Sequence, residues 1–508
     1  MLTDPALSTM ARPHRVPAFR LGLLGSILLC AGAPGAGATM ANDPLFTGTV
    51  LGELRHGPGR ALSTTLLYLG VGLLILAWVR LGREVMAGTA DTRGVTRAVL
   101  WWTVPLLLAP PLFSTDLYSY LAQGVVADSG FDPYSTVPAA LSHPIIENPD
   151  SHRWLTVTSP YGPLFVLVTK IGIGVTGGQL LPAALLTRLL LASGLVLLCV
   201  SLPRLCDHLG GRPANALWLG AANPFVLLVL VSGAHNDLLM VGLLARGTLF
   251  VLDHAHVRGF ALVATAAAVK VTAAVALPFL VWIWVAHRAG TSGVAHRAGT
   301  SGVAHSARAP RRASAMLVPA ASAVATVVGV FGLWTVVAGV DLGWISALGT
   351  NSWVETWLSI PTAAGKLLGY LTPLGTGAGV LAAARLAGWV VLAGLVGWLW
   401  WRSRDGGPVA IRGAALALLV TALFNAVTFP WYLSWPLALA AAMKWRASWT
   451  GVAAGLSVWL LLTTHPDGAT LLPWWGFAAV YLFAPLVGLV SVYDGSNRHK
   501  HSRVPQAS

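Results

Sequence analysis

Residues 258–286 read RGFALVATAAAVKVTAAVALPFLVWIWVA. The run is apolar almost throughout, yet Lys270 sits near its middle. A helix that crosses a bilayer needs about twenty apolar residues, so this stretch is too long for one crossing. Two short helices meeting at Lys270 account for both the length and the charge. An ionisable side chain inside a membrane segment is rare and is by default a functional suspect.

The rest of the chain reads the same way. Its 508 residues are 56% hydrophobic and 10% charged, with a mean hydropathy of +0.71. Soluble domains carry about a quarter charged residues, so a water-soluble globule and a disordered chain are both excluded. Twenty-two tryptophans and 55 glycines suit a chain that lives in lipid. Further apolar runs lie near 19–38, 61–80, 97–113, 181–202, 214–232 and 236–252. Others follow near 315–339, 376–400, 409–427, 431–443, 448–464 and 473–493. The fold class is therefore an all-α polytopic membrane protein with about 13–14 transmembrane helices. Cys30, Cys199 and Cys206 sit in or beside apolar stretches and form no disulfide framework.

Charge placement sets the topology, because basic residues concentrate in cytosolic loops. Arg12, Arg15 and Arg20 put the N-terminus inside, and Arg80, Arg83, Arg93 and Arg97 do the same for the second connection. The connection 114–160 is acidic and reads as external. The run 161–177 (YGPLFVLVTKIGIGVTG) is short, carries Lys170 and is broken by glycines. Laid along the outer surface, it lets Arg204, Arg212 and the arginine-rich loop 287–314 fall inside. The net charge of +14 would suggest nucleic acid in a soluble protein. Here it follows from the topology, and no nucleic-acid partner is expected. The first helix has the look of a signal peptide, and retention is favoured over cleavage.

Six regions result. Residues 1–113 hold the N-terminal spans, and 114–180 the large external loop with its juxtamembrane helices. Residues 181–286 carry spans with the His-Asn-Asp motif and Lys270. Residues 287–314 form a cytosolic basic loop, 315–493 the C-terminal spans with an external loop at 340–375, and 494–508 a cytosolic tail. The basic loop includes a tandem nonapeptide, VAHRAGTSG twice and then VAH. The duplication alone explains the equal spacing of His287, His296 and His305, and no metal site is read from it.

The polar groups cluster at the outer face. Asp116 follows a span and opens the amphipathic stretch LYSYLAQG. It is either a helix cap or a partly desolvated carboxylate suited to act as a base. His235, Asn236 and Asp237 also begin a helix and allow the same two readings. Arg188 and Lys270 lie a turn or two inside the outer face. They either snorkel or hold an anionic group such as phosphate. The aromatics Tyr134, Trp154, Tyr161, Trp353, Trp357, Trp431, Tyr432 and Trp435 read mostly as interface anchors, though Trp154 and Trp353 sit in loops where sugar stacking is plausible. No P-loop, zinc spacing or nucleophile elbow is present.

Four stretches come in a characteristic order: STDLYSYLAQGVVADSGFDPYSTVP, SPYGPL, NPFVLLVLVSGAHNDLLMVGLL and AAVKVTAAVALPFL. In this combination the chain resembles the polyprenyl-phosphomannose-dependent α-1,6-mannosyltransferases of actinobacteria, the MptA/MptB group of the membrane-embedded GT-C glycosyltransferase class. The resemblance spans roughly residues 60 to 490. It implies a GT-C-type fold and a catalytic acid in the first external loop. By position that acid is Asp116, with Asp132 as the alternative. The family's GHND-like motif falls on His235, Asn236 and Asp237, although Ala234 here separates Gly233 from the histidine. The family's lysine before LPFL is Lys270.

The implied reaction moves mannose from polyprenyl phosphate mannose to a growing α-1,6-mannan, the backbone of lipomannan and lipoarabinomannan, on the outer face of the cell membrane. Asp116 takes the proton of the acceptor's 6-hydroxyl, and Lys270 and Arg188 hold the phosphate. His235, Asn236, Asp237, Asp132, Tyr161, Trp154 and Trp353 contact donor or acceptor. A β-linked donor gives an α product, so the reaction inverts. No cofactor and no metal are expected. Two competing readings remain: transfer from another lipid-phosphate sugar such as arabinose, and a polytopic lipid or sugar transporter.

Overall fold

The computed structural model describes residues 17–40, 42–147, 152–290, 312–349, 354–372, 377–468 and 472–501. Among them the chain is helical, with one isolated bridge between Gly210 and Met443. Helices α1 (Ala18–Ala36), α2 (Gly57–Met86) and α3 (Thr92–Leu108) form the first layer. The Asp91 carboxylate caps α3 by accepting from the Gly94 amide at 2.8 Å. Helices α4 (Asp116–Asp128), α5 (His152–Leu155) and α6 (Pro163–Thr176) follow, then the 30-residue α7 (Leu180–Leu209). At 14 residues α6 is too short to cross a bilayer, which requires about twenty. It packs against α4 and α7.

Helix α8 (Pro213–Gly220) stops before Pro224, which has no amide proton to give. The Asn223 side chain caps the restart by accepting from the Phe225 amide at 3.0 Å. The chain continues as a π-helix over Val226–Ser232, then turns by 110° into α9 (Asp237–Leu252). Helix α10 (His256–Val269) ends where the sequence run 258–286 was expected to split. Lys270 is extended (φ −148, ψ 118), and a 3₁₀ turn over Val271–Ala276 leads into α11 (Leu277–Arg288).

The C-terminal part holds α12 (Arg312–Ala338), the short α13 (Trp344–Ala347), α14 (Ile360–Leu371), α15 (Ala378–Arg402), α16 (Gly407–Phe424), α17 (Ser434–Ala440), α18 (Ala447–Leu462) and α19 (Trp474–His501). Eight described helices are long and apolar enough to cross a membrane, nine if the bent pair counts as one. That is fewer than the 13–14 apolar runs of the sequence. The difference lies in runs that fold as short or broken helices: α10 has 14 residues, α18 has 16 and α17 has 7. Several of the breaks fall around one cavity. The tightest core lies along residues 216–242, which are all buried.

Candidate active site

Three backbone features bring distant segments together. Gly162 donates its amide to the Val269 carbonyl at 3.1 Å, and a Cβ there would lie 2.3 Å from the Ala268 carbonyl oxygen. Only glycine lets the SPYGPL segment lie across the break at Lys270. Helices α7 and α9 cross at Gly194 and Gly242, where a Cβ on either would meet the opposing backbone at 2.1 or 2.4 Å. This close approach sets the start of α9. The turn before α4 is held by the amide of Phe113, which donates to the Pro466 carbonyl at 2.8 Å.

Asp116 does not cap its own helix. The Ser114 hydroxyl accepts from the Asp116 amide at 3.1 Å, while the Asp116 carboxylate points at the site. Its Oδ2 stands 3.4 Å from His235 Nδ1, a long contact within ion-pair range, and accepts from the Tyr120 hydroxyl at 3.5 Å. The side chain is 14% exposed, against none for His235. The His235 ring stacks on Trp431 at 4.0 Å, and Trp431 stacks on Phe429 at 4.5 Å.

Asp237 is fully buried. Lys270 Nζ donates to both of its oxygens at 2.9 Å, and the Trp435 indole N–H donates to Oδ1 at 2.5 Å. Lys270 Nζ also sits 4.5 Å from the Tyr432 ring centroid and 5.4 Å from that of Trp435. A lysine has three protons to donate, and the Asp237 contacts account for two. Asn236 caps α9 with no side-chain hydrogen bond, so capping does not explain the His-Asn-Asp run.

Asp116 and Lys270, each held by a buried partner behind it, border a cavity of about 430 Å³. Asp116, Gln123, Trp154, Tyr161 and Lys270 line one side. The other side comes from α15, through Ala382, Arg385, Leu386 and Trp389, and from Asn425 to Trp435. Positions 382, 385, 386 and 389 are spaced as neighbours on one helix face. Leu386 and Trp389 are nonetheless 67% and 50% exposed, so this wall is open on its far side.

The structure brings Asp116, His235, Asp237, Lys270, Trp154 and Tyr161 together. It does not bring Arg188 to the cavity. The Arg188 guanidinium is buried and donates to the carbonyls of Ala109, of Leu106 at 2.5 Å and of Ser232 at 3.4 Å. It thus secures the end of α3 with a cation, where the helix dipole favours one. Asp132 lies in the loop after α4, where its Oδ1 accepts from the Tyr134 amide at 2.9 Å. Burial and the neighbouring Asp341 push its carboxyl above the usual carboxylate range. Trp353, and with it His296 and His305 of the repeat, lies outside the described residues.

Sequence reading left Arg385 unassigned. Its Nε donates to Thr362 Oγ1 at 3.0 Å and its NH2 to the Val354 carbonyl at 2.8 Å, which orients the guanidinium along the cavity. A charge in the middle of an apolar span was the available signal. Trp431, Tyr432 and Trp435, read as interface anchors, are instead cavity wall.

Comparison with known proteins follows this geometry. Residues 19–286 match the family described as α-(1→6)-mannopyranosyltransferase, N-terminal domain, and residues 359–493 match the MptB C-terminal domain. The chain is 38% identical to an α-(1→6)-mannopyranosyltransferase A of Mycobacterium tuberculosis over 463 residues, covering 90% of this chain and 86% of that one. It is 34% identical to the protein of the same name in Corynebacterium glutamicum, covering 87% and 91%. A probable α-(1→6)-mannopyranosyltransferase of Mycolicibacterium smegmatis is 32% identical, covering 86% and 80%. No solved structure matches the chain.

Proposed function

The chain belongs to the α-(1→6)-mannopyranosyltransferase family, and we propose that it moves mannose from polyprenyl phosphate mannose to a growing α-1,6-mannan at the outer face of the cell membrane. The observation that carries this reading is the make-up of the cavity. A carboxylate, a lysine and an arginine share one space, and one wall is a helix whose far side is free for lipid. A donor with a polyprenyl tail can approach between helices there, while its phosphate meets the cations.

Asp116 is the base. It takes the proton from the acceptor's 6-hydroxyl as that oxygen bonds to the anomeric carbon. The anomeric carbon–oxygen bond breaks on the opposite side, and the lipid phosphate leaves with the electron pair. Attack opposite the leaving phosphate turns a β-linked donor into an α product. His235 fixes the orientation of Asp116, and its stack on Trp431 fixes His235. The third Lys270 proton and the Arg385 guanidinium receive the charge that grows on the phosphate. Preorganised donors of this kind are often the largest contribution to rate. Arg385 takes the place that sequence reading gave to Arg188. Trp154 and Tyr161 supply the flat apolar faces against which a sugar ring packs.

The test is product analysis with membranes carrying the chain, supplied separately with labelled polyprenyl phosphate mannose and polyprenyl phosphate arabinose. Label in α-1,6-mannan from the first donor alone is the expected result. Label from arabinose alone, or transport of intact donor without transfer, overturns the proposal. A cysteine placed within 130–147 is expected to react with an impermeant reagent in intact cells. Absence of labelling there moves the site to the other face.

A further inference from the structure

Helices α9, α10 and α11 each have one end at the cavity, through Asp237, Val269 beside Lys270, and the turn that follows. Their other ends meet as well, and three histidines collect there. His254 lies in the turn between α9 and α10, His256 begins α10, and His287 falls in the last turn of α11. With 16 residues in α9 and about 1.5 Å of rise per residue, this cluster lies roughly 24 Å from Asp237. It shares no residue with the cavity.

The three imidazoles present their nitrogens to one another, with one from each ring all within 4.8 Å. His256 Nε2 and His287 Nδ1 are 2.9 Å apart. His254 stacks on His287 at 3.8 Å. His256 lies flat on Trp284, with centroids 4.7 Å apart and planes 1° from parallel, which fixes its ring. His254 reaches this position with a left-handed backbone, φ +64, a conformation that costs free energy in a residue other than glycine and gathers at functional sites. The residue before it, Asp253, accepts from Arg204 and contacts His208, both at 2.8 Å. The turn is therefore anchored from α7 as well.

We propose that His254, His256 and His287 form a three-histidine site for a first-row divalent cation of the zinc class. Imidazole nitrogen suits zinc, copper and nickel. Zinc binds it at about 2.0–2.1 Å, so ligand nitrogens around a tetrahedral ion lie about 3.3 Å apart. One pair of nitrogens, on His256 and His287, is already 2.9 Å apart, and the three ligand atoms all lie within 4.8 Å of one another. Three protein ligands leave a fourth position open, as in sites where zinc holds water or an incoming group. The proposal departs from the reading of the tandem repeat as chemically idle. His287 belongs to the repeat, but its partners come from the α9–α10 turn and not from the equal spacing.

The full chain, purified with a tag that contains no histidine, is titrated with Zn²⁺ by calorimetry. It is also titrated with Co²⁺, whose visible absorption reports coordination. One ion per chain is expected, with a tetrahedral Co²⁺ spectrum and a rise in melting temperature on adding Zn²⁺. The double variant His254→Ala/His256→Ala is expected to lose the spectrum and weaken binding at least a hundredfold. The variant His296→Ala/His305→Ala is expected to keep both. If the double alanine variant does not fold, His287→Gln gives the same readout with less disruption. Unchanged binding in the His254, His256 and His287 variants, loss of binding only in the His296/His305 variant, or no binding by the wild-type chain each overturns the site. None of these readouts depends on mannosyl transfer.

Discussion

The two walls of the cavity are built differently. The wall made by the first half of the chain is backed by packed interior: behind Asp116 and Lys270, which line the cavity, His235, Asn236 and Asp237 have no exposure at all, and the crossing of α7 and α9 leaves no room for a single Cβ. The facing wall includes α15, of which 11% of the apolar span is buried, with Leu386 and Trp389 exposed. The difference separates two tasks. Charges that must be held in a fixed geometry sit in packed interior, where their partners are set in advance. Access for a lipid-borne reactant needs a wall that borders lipid and can yield. Substitutions on the two walls are therefore expected to fail in different ways, the first in turnover and stability, the second in apparent affinity.

The largest effect belongs to Asp116. Asp116→Asn keeps the shape and the contact with His235 but removes the base, and general bases contribute about 10²–10⁴-fold. Transfer measured with labelled donor is expected to fall by that much, with donor binding retained. Full mannan extension by this variant sinks the assignment and leaves the buried wall without its central role.

Next comes the Asp237–Lys270 pair. Removing one partner of a buried ion pair leaves the other unpaired and typically costs about 3–5 kcal/mol. Lys270→Ala is expected to destabilise the chain on that scale, seen as a large drop in melting temperature, and to abolish transfer. The double variant Asp237→Asn/Lys270→Met is expected to recover stability without recovering activity. Recovery of both makes the pair structural only. Arg385→Gln tests the open wall. Charged hydrogen bonds are worth about 1.5–3 kcal/mol, so the apparent KM for the donor is expected to rise by about 10- to 100-fold, with little change in melting temperature. An equal loss of stability erases the distinction between the walls.

The asymmetry also explains what the sequence made legible. The split at Lys270 and the short helix within 161–177 were readable, because an apolar run that is too long or too short for a bilayer is a local property. Asp116, His235, Asp237 and Lys270 stood out because charge in an apolar setting is conspicuous. Arg188 stood out for the same reason, yet its charge serves the carbonyls at the end of α3. One-dimensional charge marks an ionisable group as unusual but not which cavity it faces. Arg385 carried the same signal, and only the helix face that holds it shows that it faces the cavity. The Trp431–Trp435 aromatics were hidden for the opposite reason, since aromatics near an interface are ordinary until their surroundings are known.

Outside both walls, Asp132 and Asp341 bring together the loop after α4 and the segment after α12. Burial and the neighbouring Asp341 raise the folded-state pKa of Asp132, and that direction gives the sign. Between the ordinary carboxylate pKa and the raised value, the folded state binds more protons than the unfolded one. Stability therefore falls as pH rises through that window. Asp132→Asn is expected to flatten this dependence and raise stability at neutral pH by under about 1 kcal/mol, the scale of partly exposed charges. A thermal-denaturation series from acid to neutral pH checks it, and an Asp132→Asn profile parallel to wild type contradicts it.

The smallest effect tests how finely the buried wall is fitted. Ala234, between Gly233 and His235, has φ +56, a left-handed conformation that costs a residue with a Cβ about 1–2 kcal/mol. Glycine there relieves the strain but loses more unfolded-chain entropy, about 0.5–1 kcal/mol, along with the packing of a buried methyl group. These terms nearly cancel, so Ala234→Gly is expected to stay within about 1 kcal/mol of wild type and to keep its activity. Ala234→Val has no such compensation, since a β-branched residue at positive φ is a genuine outlier. It is expected to lower melting temperature and transfer together, because the turn that it distorts aims His235 at Asp116. If valine is as well tolerated as glycine, His235 is not held by its backbone. The fixed geometry of the buried wall then rests on the Trp431 stack alone.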